Sequence, residues 1–366
     1  MMTRRHLLTV LPSLGSAQFL PAAGNLAPSR SYDDLNALKE VRRLSVDGYV
    51  NAVAWNGTGS RLAVLSNFGA VVTIWSTASW SVHNSFRRYG GAYSDNSLAY
   101  LPDGTLLTSA PVGRSPDAKY RTLAIFSLVQ WNPETGQPLR YIPDLTTLRD
   151  GIASFIAPTD TFTVSADASL VAGVSKQDVV LYSTQDWSFK TRLATPPTPT
   201  HPDSATSIAI APDGHRLAVG TLFGWVHMFT LPNGIREFSF QAYVSRVGYG
   251  CSALAFSPDG RFLAIGRSGV SVGETDDGWT RIWDMNDHAL IWRLFGGGGA
   301  VRSIAWSDGG RILAVGDDRA LQFWYTGTLP TRPRLMEKNQ DDAFSVAFSS
   351  SRWFAAADSH EVVIYR

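Results

Sequence analysis

Short apolar runs alternate with polar turns along the chain from about residue 38 to its end, and one phrase of that pattern recurs. The phrase joins alternating small and bulky residues, a Ser-Pro-Asp-Gly turn, a bulky pair, and Ala-apolar-Gly. Its clearest copy runs from Ala253 to Gly266, with close copies at Ser207 to Gly220, Ser303 to Gly316, Ala52 to Val64 and Ser97 to Leu107. Two degenerate copies run from Phe162 to Gly173 and from Ser345 to Ala356. Alternation such as Ile208-Ala209-Ile210 predicts a strand with one face in a packing contact, its alanines leaving room where strands crowd about a centre. Pro-Asp-Gly is turn chemistry: Pro presets φ, Asp bonds its own backbone, and Gly accepts positive φ. The nearly all-apolar run that follows predicts a strand buried on both faces.

Positions equivalent to Pro258 fall at 57, 102, 166, 212, 258, 308 and 350, so the spacings are 45, 64, 46, 46, 50 and 42. A period in the mid-forties is that of a four-stranded propeller blade. A third run in each unit ends on an aromatic: Trp75, Trp131, Tyr182, Phe229, Trp283, Trp324 and Tyr365. The fourth runs, such as Ser79 to His83 and Ile235 to Phe238, are more polar.

These third-run endings resemble the Trp-Asp signature of WD repeats. Trp283-Asp284 carries the pair intact, while Trp75-Ser76, Trp131-Asn132, Tyr182-Ser183, Phe229-Thr230, Trp324-Tyr325 and Tyr365-Arg366 depart from it. The Gly-His pair that often opens such repeats is absent. The resemblance covers residues 38–366 and implies an all-β fold, a seven-bladed β-propeller of four-stranded blades that serves as a docking platform. The last copy stops at Arg366 after three strands. The strand-like segment Leu38 to Val46 is therefore expected to supply the missing outer strand, closing the ring and removing free edges.

Residues 1–30 are a different material, a signal peptide or a disordered tail. They contain no acidic residue, start Met-Met-Thr-Arg-Arg-His, continue through a weakly apolar stretch broken by Pro12 and Gly15, and reach small residues at Ala22, Ala23 and Gly24. Basic start, apolar centre and small-residue end make a secretory signal, and Arg4-Arg5 resemble its twin-arginine form. Export to the periplasm is expected, with a cytoplasmic protein as the alternative. The stretch is too short and interrupted for a stable membrane span.

Charge changes the picture little. Lys and Arg number 32 against 31 Asp and Glu, and charged residues are 17%, so nothing draws the chain toward nucleic acid. The single cysteine, Cys251, excludes an intrachain disulfide and a thiolate zinc site. It precedes an apolar run and reads as a buried, inert thiol.

In WD propellers the loops from each fourth strand to the next blade, and from second to third strands, share one face, the top. Long connections fall there at Ala110 to Arg121, Pro143 to Asp160 and Arg267 to Trp279, the last with Glu274, Asp276 and Asp277. Long loops on a rigid ring carry binding or are tolerated insertions. Aromatic and arginine side chains in such loops make interface hot spots. The candidate partner-binding group is Phe68, Tyr93, Phe223, Arg246, Tyr249, Arg267, Arg302 and Arg319; Phe68 and Phe223 have packing under their own loops as the other reading.

Chemistry is thinner. The histidines are scattered without ligand spacing, the acidic run 274–277 lacks the form of a calcium loop, and no Gly-x-Ser-x-Gly elbow occurs. Gly296 to Gly299 lacks the Gly-Lys-Ser of a phosphate cradle. The expectation is a monomeric, cofactor-free scaffold for a protein or peptide partner, with no catalytic residues assigned. An exported propeller enzyme using a metal or organic cofactor at the channel mouth is the alternative.

Overall fold

The computed structural model describes residues 38–67, 69–88, 97–114, 124–142, 161–175, 177–197, 202–245, 248–269, 278–295, 298–327, 335–337, 345–350 and 352–366; of these, the side chains at 110–114, 124–127, 175 and 335–337 are not described. Seven four-stranded antiparallel sheets follow one another along the chain. Their inner strands are Val50–Trp55, Leu98–Tyr100, Phe162–Val164, Ala205–Ile210, Cys251–Phe256, Val301–Trp306 and Ser345–Phe348. These open blades 1 to 7 at the places the repeat predicts. The second strands are nearly all buried, as at Arg216–Thr221 and Ile312–Asp317.

Closure occurs as expected. Glu40–Ser45 pairs antiparallel with Glu361–Tyr365 as the outer strand of blade 7. The two ends are tied by reciprocal backbone bonds, Lys39 N to Arg366 O at 3.1 Å and Arg366 N to Lys39 O at 3.0 Å. Leu44 packs into the seam between blades 7 and 1, and Leu38 into that between blades 6 and 7.

Seven apolar clusters fill the seven seams between neighbouring blades. Blades 4 and 5 share one built on Ala209, Met228, Tyr243, Phe256, Leu263 and Ile265. The inner strands divide their faces by size. Bulky Val53 and Trp55, Ile304 and Trp306, and Val346 and Phe348 turn to the preceding blade, while Ala54, Ala305 and Ala347 turn to the following one. The alanine face is therefore a blade-to-blade contact as well, and its small side chains leave room where the inner strands crowd about the centre. Inner strands converge toward the axis, so one bulky face and one small face fit the wedge between neighbours. The Gly that ends Ala-apolar-Gly has the same cause: a Cβ on Gly220 would lie 2.7 Å from Cys251 Cβ, and one on Gly266 2.4 Å from Val301 Cγ1, both on the next blade.

Polar side chains stitch these seams. Ser97, Ser303 and Ser345 Oγ accept the N–H of Phe162, Val346 and Val53 on the next blade, at 3.2, 3.1 and 3.2 Å. Thr206 and Ser252 hydroxyls instead donate to the carbonyls of Cys251 and Val301, at 2.6 and 2.7 Å. In both forms a polar group in a dry seam is paired rather than stranded.

Candidate functional site

Antiparallel blades put first-to-second and third-to-fourth turns on the bottom of the ring, and the remaining connections on the top. The strongest construction on the top joins blade 4 to blade 5. After the outer strand Arg236–Gln241 the chain turns Tyr243 inward, where it is fully buried. Its hydroxyl shares its one proton between Ile265 O at 2.7 Å and Trp279 O at 3.1 Å. The guanidinium carbons of Arg281 and Arg267 lie 4.6 and 5.5 Å from its ring centroid. Arg267 donates to Val244 O at 3.2 Å and to Tyr249 O at 3.3 Å, and Arg281 donates to Ala242 O. Ser245 Oγ accepts the Tyr249 N–H at 2.7 Å. Two buried guanidiniums on blade 5 thus hold a loop of blade 4 by its carbonyls. Hydrogen bonds from charged groups are worth about 1.5–3 kcal/mol each. The exposed side chains among that loop's described residues are apolar or aromatic: Val244 is 63% and Tyr249 37% exposed.

The candidate residues are distributed as follows. Tyr249 is on this loop and exposed. Arg267 ends the second strand of blade 5, is only 2% exposed, and works as the brace beneath the loop rather than as a contact residue. Phe223 is half-buried in the neighbouring blade 4 turn, its N–H donating to Asp203 Oδ1 at 3.2 Å. Arg302 enters blade 6 and is half-buried in an ion pair with Asp318. Arg319 is exposed beside that pair. Phe68, Tyr93 and Arg246 lie outside the described residues, as do Glu274, Asp276, Asp277 and the connection 143–160. In blade 2, Ala110 to Arg114 extend the second strand instead of opening the loop. Sequence reading missed Tyr243 and Arg281, although both flank strand ends, because nothing in their spacing marks a side chain turned inward. It also missed Val244 and Phe295, the latter 48% exposed where the chain leaves blade 5.

Among the described residues, the top turns between second and third strands in blades 1, 4 and 6 each have a separate brace. Asn51 Oδ1 accepts the Gly69 N–H at 2.8 Å. Asp317 is fully buried, accepts the N–H groups of Arg319 and Ala320 at 2.8 and 2.7 Å, and takes Gln322 Nε2 at 2.5 Å. Burial pushes its carboxyl up to about 6 against those bonds, with Asp318 adding to the rise. Asp203 is buried below Phe223, and desolvation raises it as well. Burial pushes the Cys251 thiol up to about 12, away from a thiolate. In blade 4, His227 shares a 2.7 Å hydrogen bond through Nδ1 with Ser239 Oγ, and burial, then Arg236, pushes it down to about 4. It is therefore neutral near pH 7.

Among the described residues no three His, Cys, Asp or Glu side chains stand together as a metal site, and no helix is long and apolar enough to cross a membrane. The third-strand tryptophans mark the divergence of the repeat. Trp131 Nε1 donates to Thr108 Oγ1 at 2.9 Å, whereas the buried Nε1 atoms of Trp75, Trp283 and Trp324 have no acceptor among the described residues.

Residues 241–284 and 289–325 match the WD domain, G-beta repeat family. These stretches take in the braced loop, blade 5 and the first three strands of blade 6. No curated protein matches the sequence.

Proposed function

The chain is a seven-bladed WD-repeat propeller, and on that premise we propose that it is a non-catalytic scaffold binding a protein or peptide through the top loops of blades 4 to 6. The carrying observation is the loop from Ala242 to Gly250. The carbonyls of Ala242, Val244 and Tyr249 are held by two buried arginines, while the side chains of Val244 and Tyr249 are exposed. Exposed apolar side chains on a fixed backbone lose little conformational freedom on binding, and that is the property of an interface anchor. Propellers of this family commonly mediate protein interactions, which supports the same reading.

Site-specific photo-crosslinking in the producing cells tests it. A photoreactive residue at Val244 or Tyr249 is expected to give a discrete adduct, and one at Asp213, exposed on the bottom, is expected to give none. Equal patterns from both faces would overturn the assignment. The proposal includes export: residues 1–30 act as a leader, and the periplasm is the working compartment. N-terminal sequencing of the mature protein is expected to find a start beyond Ala22 to Gly24, and an intact Met1 would remove that part.

A further inference from the structure

The charges around the braced loop narrow the class of partner. Arg293 lies on the outer strand of blade 5 directly opposite Arg281, whose guanidinium holds Ala242 O, so it flanks the loop that carries Val244. Arg319 lies on the other side of blade 5: a Cβ on Gly298, three residues past the exposed Phe295, would stand 3.6 Å from its Nη1. Both arginines are exposed, and neither has an ion-pair partner among the described residues. The described carboxylates of this rim are engaged. Asp318 pairs with Arg302, while Asp317 and Asp203 are buried against backbone N–H groups. The described rim of blades 4 to 6 therefore presents apolar side chains between two cations that no described carboxylate matches, on a chain whose overall formal charge is only +1.

We infer that this rim takes an extended acidic peptide segment in which carboxylate side chains alternate with aromatic or aliphatic ones. The inference rests on the top-face reading above and gives it a substrate chemistry. A carboxylate pairs with a guanidinium through two parallel N–H···O bonds, and neighbouring apolar side chains of an extended segment fall within reach of Val244, Tyr249 and Phe295. Charge complementarity of this kind selects partners more than it adds affinity.

A phage-displayed random dodecapeptide library, panned on the full chain and on two surface variants, tests the proposal. Val244→Asp/Tyr249→Ala removes the apolar anchors; Arg293→Glu/Arg319→Glu reverses the cations. Unchanged thermal melting shows that each variant is folded. The expected result is enrichment of Asp or Glu beside Phe, Tyr or Leu on the wild type. Binding of those peptides should weaken about tenfold or more on either variant, and should weaken with salt between about 50 and 300 mM. Enriched peptides without acidic residues, lost only on the Val244/Tyr249 variant, would overturn the acidic class and leave the top-face reading standing. Enrichment that survives the Val244/Tyr249 variant would overturn both.

Discussion

The two faces of the ring are built from different material. On the bottom, six of the first-to-second turns close with the same backbone bond, Gly59 N to Asn56 O at 2.9 Å and its equivalents at Gly104, Ala168, Gly214, Gly260 and Gly310. The residue that donates it has positive φ each time, and is Gly in five of the six. On the top, by contrast, the described turns are held by an asparagine in blade 1, a buried aspartate from the preceding loop in blade 4 and the turn's own aspartates in blades 6 and 7, and the connection from blade 4 to blade 5 is held by an arginine brace on blade 5. A turn that only reverses the chain can repeat one solution. A loop that must show particular side chains to a partner needs its own support, and that support follows the loop rather than the repeat.

The largest expected effect breaks both faces at once. Deleting the chain through Ser45 removes the outer strand of blade 7 and the buried Leu44. A loss beyond about 5 kcal/mol, the margin of an ordinary domain, is expected, read as a missing cooperative transition in thermal melting. Arg267→Met breaks the top alone. It strands the Val244 and Tyr249 carbonyls, so a cost of about 4 kcal/mol in urea unfolding is expected together with loss of the Val244 crosslink.

Acid titration separates the top turn of blade 6 from the body of blade 4. His227 titrates at about 4 in the ring and at its ordinary 6.5 when unfolded, so it removes stability as the pH falls from 6.5 to 4, by about 3 kcal/mol in all. Asp317, at about 6 against an unfolded 3.8, works in the other sense: its burial cost is full above pH 6 and gone below 3.8. Asp317→Asn is expected to raise stability at pH 7 with the advantage lost near pH 4, while His227→Phe is expected to lessen the loss below pH 6.5. Urea midpoints across that range check both signs. The smallest effect sharpens the bottom. Ala168 holds a φ of 52° where five equivalent turns carry Gly, so Ala168→Gly is expected to stabilise by about 1 kcal/mol without touching the Val244 crosslink.

Much of the ring is legible in the sequence. The phrase around Pro258, its seven copies and the spare strand at Leu38 to Val46 foretold the blade count and the closure, because turn chemistry and strand alternation are local and each blade repeats them. Which neighbour each face meets was not legible. That Ala54 packs toward blade 2 and Val53 toward blade 7 depends on the angle between sheets, which no single blade contains. The candidate site was legible only as a neighbourhood. Tyr249 and Arg319 proved exposed, but Arg267, chosen for the same reasons, turned out to be buried beneath the loop. An arginine at a strand end reads the same way whether its guanidinium points to water or to a carbonyl of the next blade.

Local sequence settles which segments pair within a blade, since those strands are neighbours in the chain and their side chains alternate visibly. It also settles that the first and last strands belong together, since each lacks a partner of its own. Assembly of the blades settles the rest: which small face meets which large one, which glycines admit a neighbouring strand, and which arginines support a loop instead of presenting themselves on it. Those outcomes depend on seams between residues as distant as Val53 and Ser345, where packing and desolvation act between segments that no local pattern relates.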